Sequence, residues 1–140
     1  MMVIGPEHTL AQLAASLAFA DAGALSSRIY LYADAAVATG ATPTASPLAE
    51  IVLAKPCGTI ADGALTLHPA DSAGSLVLVT GIPRAARWVS GDDKLVAAGT
   101  VTDTGHSGNF RISGGTTAAG DDSPTLYAGG LVLLGAVVLD

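Results

Sequence analysis

The chain has 140 residues, of which half are hydrophobic but only 4% are aromatic and 13% charged, and its formal net charge is −6. Its six basic residues are scattered, whereas nucleic-acid binding needs clustered Lys and Arg to neutralise phosphates, so we expect no direct nucleic-acid partner. A single cysteine, Cys57, excludes an internal disulfide framework.

The length predicts one domain, 1–140, in which a helical segment at 1–24 precedes a β-sandwich at 25–140. The first segment predicts one α-helix over roughly Glu7–Ala22, because Pro6 suits a first helical turn and Gly23 supplies a stop. Three leucines recur at intervals of three and four residues and form an apolar stripe: Leu10, Leu13 and Leu17. The other face is mostly Ala and Ser, so we expect protein contacts on two sides of this helix.

We expect neither a secretion signal nor a membrane segment. Ala18-Phe19-Ala20 resembles a signal-peptidase site, but no Lys or Arg precedes Arg28 to form a charged leader. The apolar run Leu131–Leu139 has about half the length that a helix needs to span a bilayer.

The remainder of the chain predicts about eight short strands at regular spacing. Without helices between them, they favour an all-β sandwich or jelly roll over a parallel α/β sheet. The predicted strands are Arg28–Ala33, Leu48–Ala54, Ala64–His68, Ser75–Thr80, Ala85–Ser90, Lys94–Thr102, Asn109–Ser113 and Leu131–Leu139. Asp34–Pro47 and Gly114–Pro124 are predicted as loops.

The stretch Gly81–Gly105 predicts a hairpin that carries Trp88, the only tryptophan. Its turn, Ser90–Asp93, contains a glycine, which admits positive φ, and two aspartates that bond their own backbone. Trp88 has two interpretations. It is either an exposed platform on which a sugar stacks or an anchor of the core or of a subunit interface, and we favour the anchor because large aromatics are scarce here.

The closing run Leu131–Leu139 is apolar at nearly every position. A strand that is apolar on both faces is covered on both faces. We therefore expect the N-terminal helix or a partner subunit to cover its second face.

No enzyme motif emerges from the histidines or the cysteine. His8, His68 and His106 lie far apart and form no ligand-spaced pair, and Asp103–His106 is interpreted as a polar loop. Cys57, in a Pro-Cys-Gly turn, is interpreted as a buried thiol because no histidine or basic field accompanies it.

The acidic pairs Asp92-Asp93 and Asp121-Asp122 are interpreted as turn formers, since neither has the ligand alternation of a calcium loop. The sequence thus predicts no catalytic residue, no cofactor site and no metal site.

Six segments, in this order, carry a family resemblance: TLAQLAASLAFADAG, RIYLYADA, PTASPLAEIVLAKP, DGALTL, ARWVSGDDKLVAAGTVTDTG and GGLVLLGAVVLD. Over nearly the whole chain they resemble the small jelly-roll structural proteins of tailed bacteriophages, in particular their capsid cement (decoration) proteins. The resemblance implies a protein without a catalytic motif that binds the capsid exterior between major capsid protein subunits.

The resemblance also implies partners and a location. The partners are the major capsid protein and further copies of this chain, with a homodimer first and a trimer second. The location is the exterior of the virion capsid, after synthesis in the bacterial host cytoplasm. Six apolar residues are the hypothesis for self-association: Leu10, Leu13, Leu17, Leu131, Leu133 and Val137. The loops Asp34–Pro47 and Gly114–Pro124 are the hypothesis for gripping the shell.

Three alternatives stay open. The first is a phage tail or baseplate component with the same fold. The second is a carbohydrate-binding jelly roll that uses Trp88 with Tyr30 or Tyr32, and the third is an enzyme.

Overall fold

The structure is a computed structural model that describes residues 2–139. Over these residues it is mostly β, with one N-terminal α-helix, as predicted, but nine strands stand where about eight were expected. The elements are α1 (Pro6–Ala20), β1 (Arg28–Tyr32), β2 (Ala49–Ala61), β3 (Ala64–Pro69), β4 (Ser75–Leu76), β5 (Ala85–Val89), β6 (Leu95–Asp103), β7 (Phe110–Ser113), β8 (Leu131–Leu134) and β9 (Val138–Leu139).

The strands form one curled sheet in the order β4-β8-β7-β6-β5-β1-β2-β3-β9. Every neighbouring pair is antiparallel except β6 and β7, which run parallel. Val77, directly after β4, forms an antiparallel bridge to Ala49 at the start of β2. The curl therefore brings one end of the sheet back against β2, and apolar side chains fill the space inside.

The predicted hairpin is confirmed as β5 and β6, with Trp88 opposite Ala97. The Ser90 N–H donates to the Lys94 carbonyl oxygen, and the Ser90 hydroxyl oxygen accepts from the backbone N–H groups of Asp92 and Lys94. Asp93 adopts a φ of 61°. The turn forms where it was predicted, but by different contacts: Asp93 and not Gly91 takes the positive φ, and the Ser90 hydroxyl, not an aspartate side chain, bonds the backbone.

Trp88 lies in the core and is 2% exposed. Its indole Nε1–H donates to Ser27 Oγ at 2.6 Å, and the Ser27 hydroxyl donates to the Val89 carbonyl oxygen at 2.8 Å. The rest of the core consists mainly of Val, Leu, Ile and Ala, as the scarcity of aromatics requires.

Strand β2 continues where the sequence predicted an end. The expectation that Lys55–Gly58 terminates a strand at Ala54 is wrong, because β2 runs through to Ala61 and absorbs the interruption as a register shift between Leu53 and Gly58. Inside the shift, the Cys57 N–H donates to the Asp21 carboxylate, with oxygens at 3.0 and 3.2 Å. A bulge of this kind accommodates residues that cannot join the ladder.

Two other predicted strands are shorter than expected. In Ser75–Thr80 only β4 is a strand, because Leu78 and Val79, which follow Val77, both donate their N–H groups to the Leu48 carbonyl oxygen and the chain bends away. The run Leu131–Leu139 forms two strands with different partners, β8 beside β4 and β7, and β9 beside β3. This division accounts for the additional strand.

The predicted loop Asp34–Pro47 contains a short 3₁₀ helix, Ala35–Thr39. Asp34 caps it, since its Oδ1 accepts the Ala36 N–H at 2.9 Å, and Gly40 ends it with a φ of 95°. The prediction of a long connection without regular structure is therefore corrected at this point.

Helix α1 packs with Leu13 and Ala20 buried and with Leu17 against the core. Two contacts fix its C-terminal end: Asp21 accepts the Cys57 N–H, and the Ala20 carbonyl oxygen accepts the Gly91 N–H at 3.1 Å. The helix is thus held between the bulge of β2 and the turn after β5.

Candidate functional site

The outer surface of β4 and β8 exposes large apolar side chains. Leu76 and Leu131 stand directly opposite each other and are 54% and 49% exposed. Val77 and Val132, which alternate with them, are buried. Because side chains alternate across a sheet, Leu76, Leu131 and Leu133 share the side that points away from the core. We call these three residues the apolar face.

Exposed Leu78 and Tyr127 flank the apolar face. The segments are joined at Val77, whose N–H donates to the Gly130 carbonyl oxygen at 2.9 Å and whose carbonyl accepts the Gly129 N–H at the same distance. Residues 72–83 and 123–139 contain no charged residue. In a chain with a net charge of −6, this is a large uncharged surface, and such patches mark interaction sites.

The six residues predicted for self-association fall into two groups. Leu10, Leu131 and Leu133 are exposed, whereas Leu13 and Val137 are buried in the core and Leu17 packs against it. Within β8, exposed Leu131 and Leu133 alternate with buried Val132, so the N-terminal helix does not cover the outer side of this strand. Only the exposed group is available to a partner, and Leu76 belongs with it although the sequence did not single it out.

A second uncharged surface lies on the outer side of α1. The helix has no charged side chain after Glu7, and Leu10 and Phe19 are exposed on it. Met2, Val3 and Ile4, just before the helix, are exposed too. These apolar side chains are exposed to solvent and are not part of the hydrophobic core.

A cluster of polar side chains lies at the end of β6, where Asp103 accepts three hydrogen bonds. Its Oδ1 accepts from His106 Nδ1 at 2.6 Å and from the Gly105 N–H at 3.0 Å, and its Oδ2 accepts from the Thr117 hydroxyl at 2.8 Å. The Asp103 N–H donates to the Asp122 carbonyl oxygen at 2.8 Å. One residue therefore ties together the loops 104–109 and 114–124.

Arg84 provides the second attachment of the 114–124 loop. Its two terminal nitrogens donate to the two carboxylate oxygens of Asp121 at 2.6 and 2.9 Å, and Asp122 lies 3.5 Å from the same guanidinium. We call Arg84, Asp103, His106, Thr117 and Asp121 the polar clasp. The hydrogen bond from Arg84, followed by those from the backbone N–H groups of Asp122 and Ser123, holds the pKa of Asp121 well below its usual range.

Asp103 and His106, the two central members of the clasp, also shift each other's pKa. The hydrogen bond and the charge of Asp103 raise the pKa of His106. The hydrogen bonds from His106 and then from Thr117 lower the pKa of Asp103. His106 is exposed and Asp103 is half-buried, so solvent partly screens these interactions.

The clasp lacks the geometry of nucleophilic catalysis. An activated hydroxyl donates to its general base, whereas the Thr117 hydroxyl donates to Asp103 and not to His106. Elsewhere, Thr59 Oγ1 lies 2.6 Å from His68 Nε2, on the exposed surface of β2 and β3. Sequence reasoning missed Arg84 and Thr117, because their partners are 37 and 14 residues away.

Cys57 is buried, and burial followed by the charge of Asp21 raises the pKa of its thiol to about 12. A thiol of this kind is protonated at neutral pH and is a poor nucleophile. Within residues 2–139, no three His, Cys, Asp or Glu side chains lie close enough together to hold a metal ion.

Trp88 borders a cleft of about 450 Å³ with Leu67, Phe110 and Val137. Because its own exposure is 2%, its ring faces are packed against the core. A sugar platform needs an open face, so the carbohydrate alternative loses the residue on which it depended.

Across the part of the chain that the structure describes, no helix combines the length and the apolar character needed to cross a membrane. No protein-family model matches the sequence, and neither a curated protein nor a solved structure is significantly similar to it.

Proposed function

We propose that the chain is a non-enzymatic structural virion protein of a tailed bacteriophage, which binds the outer surface of the capsid and cements neighbouring major capsid protein subunits. Its location is the capsid exterior, and it associates with further copies of itself, as a homodimer first and a trimer second. The proposal starts from the family resemblance of the six ordered segments.

The observation that carries the proposal is the uncharged apolar face, formed by Leu76, Leu131 and Leu133. Exposed leucines lower the free energy only when another surface covers them, by roughly 25 cal/mol for each Å² of apolar area removed from water. A cement protein needs such surfaces and a rigid scaffold, and it needs no active site. The curled sheet provides the scaffold.

The proposal assigns self-association and shell binding to different surfaces of the molecule. Copies of a chain with a net charge of −6 repel each other unless they meet through uncharged surface, which assigns the apolar face and Leu10 to self-association. The exposed loops Asp34–Pro47 and Gly114–Pro124 contact the shell. Two linked copies then bind with the avidity of two contacts.

The jelly-roll arrangement belongs to this proposal as well. The curled sheet and its bridge between Val77 and Ala49 are compatible with two facing layers. The parallel pair β6 and β7 differs from a fully antiparallel jelly roll. The difference concerns one short connection, 104–109, and not the layers themselves.

A tail or baseplate component is the second candidate. The apolar face supports it equally, since any assembled structural protein buries such a surface. The two candidates differ only in the partner that covers the chain.

Co-sedimentation with capsid shells tests the proposal. Purified chain is mixed with shells assembled from the major capsid protein alone and with isolated tails, and the pellets are analysed. We expect saturable binding to shells and none to tails. Binding to tails alone would favour the second candidate, and binding to neither would contradict both.

A further inference from the structure

The polar clasp joins two loops at one carboxylate. The 104–109 loop connects β6 to its parallel neighbour β7, and the 114–124 loop follows β7. Asp103 ends β6 and is hydrogen bonded to His106 in the first loop and to Thr117 in the second. A change at His106 therefore reaches the 114–124 loop through a single shared side chain.

We propose that Asp103 is the hub of a pH-responsive clasp in which protonation of His106 holds the 114–124 loop more firmly in place. The clasp is a property of the isolated chain. Its consequence, tighter binding of the capsid shell when the loop is held, rests on the proposed function.

The geometry identifies the nitrogen that titrates. An ionised carboxylate only accepts hydrogen bonds, so His106 Nδ1 carries its hydrogen in both charge states, and Nε2 gains or loses the proton. Protonation therefore keeps the bond to Asp103 and adds a positive charge to its donor. Charge-assisted bonds of this kind are stronger than neutral ones.

The groups that face His106 favour its cation. They are the carboxylates of Asp103, Asp121 and Asp122 and one guanidinium, that of Arg84. Arg84 is engaged by Asp121 in a two-pronged ion pair and also lies near Asp122. The three carboxylates thus outnumber the single cation around the imidazole.

The direction of the pH dependence follows from the raised pKa of His106. The added stabilisation is fully present below the ordinary histidine pKa, about 6.5, and is lost as the pH rises through the raised value. Asp103 has a lowered pKa, so it remains an ionised acceptor throughout that window. Raising the pH therefore weakens the tie between His106 and Asp103.

Two attachments of the loop do not titrate in the same window. Asp121 keeps its ion pair with Arg84, because its pKa lies far below neutrality, and the Asp103 N–H keeps its bond to the Asp122 carbonyl oxygen. The titration of His106 therefore changes how firmly the 114–124 loop is held, while these two contacts keep the loop attached at both pH values. The expected change is small, about two- to five-fold in the protection of the loop, which is the range of exposed ion pairs.

Amide hydrogen exchange on the isolated full-length protein tests the clasp. Exchange in the 114–124 loop is measured at about pH 6 and about pH 8.5, on either side of the histidine transition, and corrected for intrinsic rates. We expect protection to fall about two- to five-fold at the higher pH. His106→Asn keeps a donor near the Nδ1 position but cannot become charged, so its loop protection should be the same at both values.

His8→Asn, an exposed histidine on α1, is the matched control and should behave as the wild type does. Asp103→Asn should lower the protection at both pH values, because the hub loses its charge. Equal wild-type protection at both values, or an unchanged pH dependence in His106→Asn, would overturn the proposal. Co-sedimentation with shells tests the proposed function separately. A protein that does not bind capsid shells can still show pH-dependent protection of the 114–124 loop.

Discussion

Ser27 shows how one buried hydroxyl completes the core around the single tryptophan. It accepts the indole N–H of Trp88 and donates to the Val89 carbonyl oxygen, so two polar groups inside the sheet depend on it. Buried polar groups are costly when unpaired. The sequence predicted Trp88 as an anchor from the scarcity of aromatics, but it did not predict Ser27, since the two residues are 61 positions apart.

We therefore expect Ser27→Ala to lower the free energy of unfolding by about 1–3 kcal/mol, because the indole N–H is left without an acceptor. Urea denaturation followed by tryptophan fluorescence measures this change. Ser16→Ala is the matched control, since the Ser16 hydroxyl only bonds its own exposed helix turn, and it should change stability by less than about 0.5 kcal/mol. Equal effects of the two substitutions would contradict the assigned role of Ser27.

Cys57 gives a chemical prediction at the same scale. With a pKa of about 12 and no exposed surface, its thiol should react with iodoacetamide far more slowly in the folded protein at pH 8 than in urea. Mass spectrometry of the alkylated protein measures both rates. Similar rates in the two states would mean that Cys57 is accessible.

At the scale of elements, the sequence pattern predicted the bounds of β1, β3, β5 and β6 to within about one residue at each end. It failed where every residue is apolar, because Leu131 and Val132 look alike in the sequence, yet one is exposed and the other buried. It also failed at Lys55–Gly58, where a bulge continues a strand that the sequence predicted to end at Ala54. The polar clasp could not be predicted, since Arg84, Asp103 and Thr117 meet only in the folded chain.

The bulge makes a prediction about β2 and β3. A Cβ atom at Gly58 would lie 2.5 Å from the Thr66 carbonyl oxygen, so Gly58→Ala forces the two strands apart. Overpacking of this kind costs about 1–3 kcal/mol. Gly5→Ala, where a Cβ atom meets nothing within 4 Å, is the control for thermal or urea unfolding. A Gly58→Ala protein as stable as the control would show that the strands separate easily.

At the scale of the whole molecule, the distribution of charge matters more than its amount. The chain is acidic, yet two paired segments, 72–83 and 123–139, and the helix surface after Glu7 carry no charge. The structure shows which apolar residues of these segments face outward.

Self-association through the apolar face predicts the effect of new charges there. Leu131→Asp combined with Leu133→Asp should leave the fold intact, because both side chains are exposed, and should reduce the mass in solution to that of a monomer. Val52→Asp, an exposed apolar residue of β2, is the matched control and should keep the wild-type mass. Sedimentation velocity with circular dichroism measures mass and fold together. An unchanged mass in the double variant would contradict this role of the face.

Electron cryomicroscopy of the assembled particle tests the cement function most directly. The account predicts density with this curled nine-stranded sheet over the whole head, on the outside of the shell and between major capsid protein subunits. Density of this shape at the tail alone, or none on the particle, would contradict it.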